Sequence, residues 1–183
     1  MAQTTPYSNT WTEVLEYGDK EERRIVDWLN THLPEYKAQW CETHNISDIN
    51  TIRGGIEVKS YRMPYRIPSI ESLCVQSGKP SVWLSDTNCK YIFCNHGYHI
   101  HVYDAEKMRQ IYKKGWMLKT YNANVNQGDG SKKTMEFISV VSRSSDQRDI
   151  YLETDDATRW DCNMLDEWSP YILTLEKDWS SFV

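Results

Sequence analysis

The stretch Asp48-Ile-Asn-Thr-Ile-Arg-Gly-Gly-Ile-Glu-Val-Lys-Ser-Tyr61 reads as two short strands joined by a glycine turn. Gly54 and Gly55 supply the positive-φ positions of a two-residue hairpin loop, so the loop is expected at Arg53-Gly54 or Gly54-Gly55. In either case the numbers of opposed residues sum to an odd value, which places Asp48 on the same face as Glu57 and Lys59. Strand alternation sends Ile49, Ile56 and Val58 to the other face. The ribbon is therefore apolar on one side and carries two carboxylates and an ammonium on the other. A ribbon that only meets water has no need of that grouping, whereas a site for a hard divalent cation does.

Asp48, followed on the next strand by Glu57-Val58-Lys59, resembles the signature of the PD-(D/E)XK nuclease superfamily, the restriction-endonuclease-like fold. Ser47 stands where the motif has Pro, and the interval from Asp to Glu is short. The resemblance implies an α/β (α+β) domain with an αβββαβ core, a mixed central sheet flanked by helices. It implies that Asp48, Glu57 and the backbone carbonyl of Val58 hold Mg²⁺ or Mn²⁺, and that Lys59 orients or activates the attacking water. Gly18-x-x-x-Glu22-x-x-Ile25-x-x-x-Leu29 also resembles the first helix of many such nucleases, in which the Glu faces the metals. The residues themselves leave a second role open for Glu22, a capping box with Asp19. The implied activity is endonucleolytic hydrolysis of phosphodiester bonds, with DNA as the substrate. RNA cleavage by the same metal centre is the nearest alternative, and a catalytically inactive binding or inhibitory protein of nuclease fold is the alternative from another class. Many such nucleases dimerise to cut both strands, so a homodimer is also implied.

Along the chain, Asp19 is a good N-cap for a helix that stops at Pro34, with Ile25, Val26, Leu29 and Leu33 as its apolar stripe. Residues 35–44 alternate as a first strand. After Tyr61, the prolines make Arg62-Met-Pro-Tyr-Arg-Ile-Pro68 extended, and Tyr61, Arg62, Tyr65 and Arg66 would line a groove suited to phosphate contact and base stacking. A short helix is expected over 69–77 and a strand over 81–85. Strands are expected over 90–94 and 98–103, with Asp104 capping a helix from Ala105 to Lys114 that turns Met108, Ile111 and Tyr112 to one side. Lys113, Lys114 and Lys119 flank Trp116 as a patch that could track a phosphate backbone. Residues 122–133 read as a polar loop, and 135–142 as a strand at an edge or in a separate small sheet.

With 183 residues, the chain suits one domain, 1–183, with a core over about 18–150 and an acidic, Trp-containing extension over 151–183 that wraps the core. A net charge of −5 weighs against a nucleic-acid partner. Its distribution weakens that objection, because 151–183 holds eight acidic and two basic residues, which leaves the rest of the chain slightly positive. No apolar run reaches the length of a membrane span, and 1–17 has no apolar signal region, so the expected location is the cytoplasm, bacterial or that of a phage- or virus-infected host. Five cysteines without framework spacing suit reduced thiols. Cys89, Cys94, His96, His99 and His101 suggest zinc, but two cysteines flanking a regular apolar strand read as side chains of a sheet. Neither a nucleophile elbow nor a phosphate-binding glycine loop occurs.

Overall fold

The quoted stretch pairs with itself in the computed structural model of the protein, which describes residues 11–43, 46–61, 69–95, 99–114, 119–127, 129–139 and 171–176. Strands β2 (Ile49–Thr51) and β3 (Gly54–Ser60) are antiparallel, with Ile49 opposite Ile56 and Thr51 opposite Gly54. The loop is thus Ile52-Arg53, not either glycine-containing pair. The Thr51 hydroxyl closes it, donating to the Gly54 carbonyl at 2.8 Å and accepting from the Arg53 N–H at 3.1 Å. The glycines are needed for close approach instead. Gly54 has φ +119°, and a Cβ there would run into Lys90 and the Asn88 carbonyl, while a Cβ on Gly55 would strike the Ser47 side chain. The odd-sum pairing survives the shift, so the expected faces hold.

Upstream lie α1 (Trp11–His32) and the two-residue β1 (Gln39–Trp40), shorter than the strand expected over 35–44. Helix α1 is already formed eight residues before Asp19, since Glu13, Leu15 and Glu16 continue the helical run and Gly18 is tolerated within it. Asp19 is therefore interior, and the capping box with Glu22 does not form. A second correction concerns 69–85. Residues 69–74 are β4 (Ser69–Cys74), and Val82–Ser85 form a single helical turn, α2. Tertiary packing overrides local preference here: Ile70 is fully buried, and buried Trp83 donates its indole N–H to the Glu71 carbonyl at 2.6 Å.

Strands β5 (Cys89–Asn95) and β6 (His99–Asp104) and helix α3 (Ala105–Lys114) fall where the sequence places them, with Asp104 accepting the N–H groups of Glu106 and Lys107 at 2.8 and 3.0 Å. The region read as a polar loop opens with a strand, β7 (Lys119–Asn126), in which half-buried Tyr121, Ala123 and Val125 alternate with exposed asparagines. β8 (Lys132–Ser139) is the central strand of the separate small sheet β4-β8-β7, all antiparallel. β9 (Tyr171–Glu176), from the acidic segment, pairs with β6. The main sheet has the order β1-β2-β3-β5-β6-β9, antiparallel throughout except for parallel β3 and β5.

The protein is thus an α+β structure with a mixed sheet and few helices. Among the described residues, the link between the parallel strands carries β4 and α2. Among the described residues no helix is long and apolar enough to cross a membrane.

The sheet buries both faces. Ile49, Ile56, Val58, Phe93, Ile100 and Val102 pack under Ile25 and Leu29 of α1. Cys89, Ile92, Cys94 and Tyr103 pack on the other side with Trp83, Ala105 and Met108, and with Ile70 and Ile138 of the small sheet. Arg109 ties this second layer together. Its buried guanidinium donates to the carbonyls of Trp83 (2.8 Å), Asp86 (2.7 Å) and Cys89 (2.7 Å), and to Glu106 at 2.9 Å. Arg109→Met keeps the apolar stem and strands three carbonyls, so unfolding in urea is expected to lose about 3 kcal/mol. A midpoint within about 0.5 kcal/mol of the parent's would mean that those carbonyls find other partners.

Candidate metal-binding notch

Strand β3 outruns β2. Its pairing with β2 ends at Ile56, while its pairing with β5 continues to Ser60 opposite Asn95. Among the described residues one edge of β3 from Glu57 onward therefore has no strand beside it, and the Val58 N–H faces that notch. Asp48, the residue just before β2, fills the place of the missing strand: its Oδ2 accepts the Val58 N–H at 2.7 Å. Strand geometry turns the Val58 carbonyl to the same side as its N–H.

Alternation puts Glu57 and Lys59 on the face away from α1, beside Ile92 and Cys94 of β5. Glu57 is only 4% exposed; Lys59 Nζ lies 2.8 Å from its Oε1, and its Oε2 is buried with no hydrogen-bond partner. On the α1 side, Glu22 accepts the Trp40 indole N–H at 2.8 Å, and the Arg23 guanidinium stacks 3.8 Å over the Trp40 ring.

These groups sense one another. Burial, then the charges of Glu57 and Glu22, push the Asp48 carboxyl up to about 8, against the opposing pull of Lys59 and the Val58 N–H. Burial also raises Glu22, a shift opposed by the Trp40 hydrogen bond and reinforced by Asp19. For Lys59, burial alone would lower the ammonium, but Glu57, Glu71 and Asp48 together outweigh it, and its pKa is raised. Lys59 is therefore a fixed cation amid an excess of carboxylates. Among the described residues no three His, Cys, Asp or Glu side chains are gathered as a ready-made metal cage. Asp48 is turned to a backbone amide, Glu57 to Lys59 and Glu22 to Trp40.

Of the groove residues, Tyr61 turns inward: its hydroxyl points at Cys94 Sγ, 4.0 Å away, and its ring packs on the second core. Tyr61 is half-buried in this position. Arg62, Tyr65 and Arg66 lie outside the described residues. Lys113 and Lys114 are exposed on the last turn of α3, and Lys119 opens β7. Cys89 and Cys94, two of the tempting zinc ligands, are buried in the sheet; His96 lies outside the described residues.

Sequence reasoning missed three neighbours of the notch. Glu21 is 5% exposed, and its place four residues before Ile25 and eight before Leu29 puts it at the head of the buried stripe, a signal available in the pattern. Trp40 and Asn95 carried no such signal. Comparison of the chain with known protein families, with curated proteins and with solved structures found no match.

Asp48→Asn keeps an oxygen for the Val58 N–H and removes the charge opposed to Glu57. An unfolded Asp titrates near 3.9, so a folded pKa of about 8 means that stability is lost as pH rises between those values. In metal-free urea titrations, Asp48→Asn and the parent should agree near pH 4, with the variant increasingly the more stable up to pH 8.5. A constant difference across that range would show that Asp48 ionises normally.

Proposed function

We propose that the protein is a metal-dependent nuclease of restriction-endonuclease-like fold, hydrolysing phosphodiester bonds in DNA. The observation that carries the reading is the notch, where Asp48, the Val58 backbone, Glu57 and Lys59 meet at the open edge of β3. The strand order supports it too, with an antiparallel β1-β2-β3 meander followed by a strand parallel to β3.

The donor set suits Mg²⁺ or Mn²⁺. Carboxylate and carbonyl oxygens are what hard cations select, and Glu57 Oε2 is a buried acceptor lacking a donor. Asp48, Glu57 and the Val58 carbonyl would hold the ion, with Glu22 reaching it from α1. An ion held there would supply Lewis acidity that lowers the pKa of water and positive charge that offsets negative charge developing on the phosphate. Lys59, kept protonated by Glu57, Glu71 and Asp48, donates a hydrogen bond that orients the attacking water or a phosphate oxygen; it does not take the proton. Lys113, Lys114 and Lys119, with Arg62 and Arg66, would meet the phosphate backbone. An RNA substrate and a non-catalytic nucleic-acid-binding role are the alternatives, and a cytoplasmic setting and a homodimer belong to the same reading.

Purified protein incubated with plasmid DNA and with single-stranded RNA, in Mg²⁺, Mn²⁺ and EDTA, tests all three. Cleavage in Mg²⁺ or Mn²⁺ is expected, with none in EDTA, and Glu57→Ala and Lys59→Ala should lower it by at least about a hundredfold while leaving the circular dichroism unchanged. Cleavage that survives both substitutions would remove the notch as its source, and binding without cleavage would favour the non-catalytic alternative.

A further inference from the structure

The free end of β3 raises a mechanical problem: among the described residues the strand pairs from Glu57 to Ser60 with β5 alone, and on its other edge a side chain, Asp48, stands in for a strand. The side chain that answers it is Asn95, fully buried at the end of β5. Its amide donates to Glu21 Oε2 of α1 at 2.9 Å and to the Ser60 hydroxyl of β3 at 3.3 Å, and its backbone carbonyl accepts the Tyr61 N–H at 2.8 Å. The other Glu21 oxygen accepts from Arg24 at 2.8 Å. One amide thus spans the residue after Lys59 and the residue before Glu22.

We infer that Asn95 and Glu21 are positioning residues that set the height of α1 over the end of β3, and with it the spacing between Glu22 and the Asp48–Glu57–Lys59 group. The inference rests on the metal-site reading above. Four consecutive residues of α1 have assigned tasks. Glu21 binds Asn95, Glu22 binds Trp40, Arg23 stacks on Trp40 and Arg24 neutralises Glu21. A shift of the helix would carry Glu22 with it. A buried carboxylate and amide of this kind are costly to keep unless each satisfies the other, and two apolar residues would pack α1 equally well. The pair specifies position where apolar packing would permit sliding.

The test uses a swap. Asn95→Asp sets two carboxylates against each other, whereas Glu21→Gln with Asn95→Asp restores one amide and one carboxylate with the donor on the helix. Mn²⁺ binding to folded protein, followed by the loss of free Mn²⁺ signal in electron paramagnetic resonance, is expected to weaken about tenfold or more in Asn95→Asp and to recover in the double variant. Ser60→Ala, which removes only the contact to β3, is expected to weaken binding less and serves if Asn95→Asp does not fold. A parent protein that takes up no Mn²⁺ overturns the metal reading and this inference with it. A parent that binds, with Asn95→Asp or Ser60→Ala folded and binding equally well, overturns the inference alone. Lower thermal stability with unchanged Mn²⁺ affinity would give the pair a purely structural role and likewise overturn it.

Discussion

The hydrogen bond from the Val58 amide to the Asp48 carboxylate is the contact on which the remainder of the notch depends. A β-strand that loses its neighbour leaves a row of unpaired backbone groups, and a side chain must replace the missing strand. Asp48 does so at the first position past the end of β2. Fixing it there sets its carboxyl against Glu57, and Lys59, drawn to Glu57 at 2.8 Å, offsets the result together with the Val58 N–H. The buried charges are organised by a backbone accident: β3 runs four residues longer than its partner.

Two layers enforce this arrangement from opposite sides. Ile25 and Leu29 bury the α1 face of the sheet, while Arg109 locks α2, α3 and the start of β5 over the other. The same strand therefore presents Val58 to one core and Glu57 and Lys59 to the other, and neither face can be rearranged without disturbing a core. Ser47 takes part in this rigidity: buried, and seated against Gly55 where any Cβ would collide, it fixes the chain immediately before Asp48. Ser47 and Gly55 are thus matched, and a side chain added at 55 would displace Ser47.

The short-range features were readable in the sequence and the long-range ones were not. The faces of the ribbon followed from parity alone, and so survived the displacement of the loop to Ile52-Arg53. The cap at Asp104 and the helix behind it depend on neighbouring residues and were equally plain. The segments 69–74 and 82–85 exchanged their expected identities because Ile70 and Trp83 answer to partners far away in sequence, on β8 and in the second core. Asn122, Asn124 and Asn126 hid a strand, since asparagine is a turn former and the half-buried alternation of Tyr121, Ala123 and Val125 was the weaker signal. At the notch, the Asp, Glu and Lys were visible as a motif, whereas Asn95 takes its place from Glu21 and Ser60, partners far away in sequence.

Among the described residues the main sheet ends at β9, which pairs with β6, a strand made much earlier. During translation the β6 edge from His99 to Tyr103 has to wait for its partner, and closing so long an intervening loop is slow. The nascent protein thus carries an open hydrogen-bonding edge, which includes Ile100 and Val102, until residues 171–176 have left the ribosome. Any chain cut short before residue 171 keeps that edge permanently, and with it a template for association with its own copies.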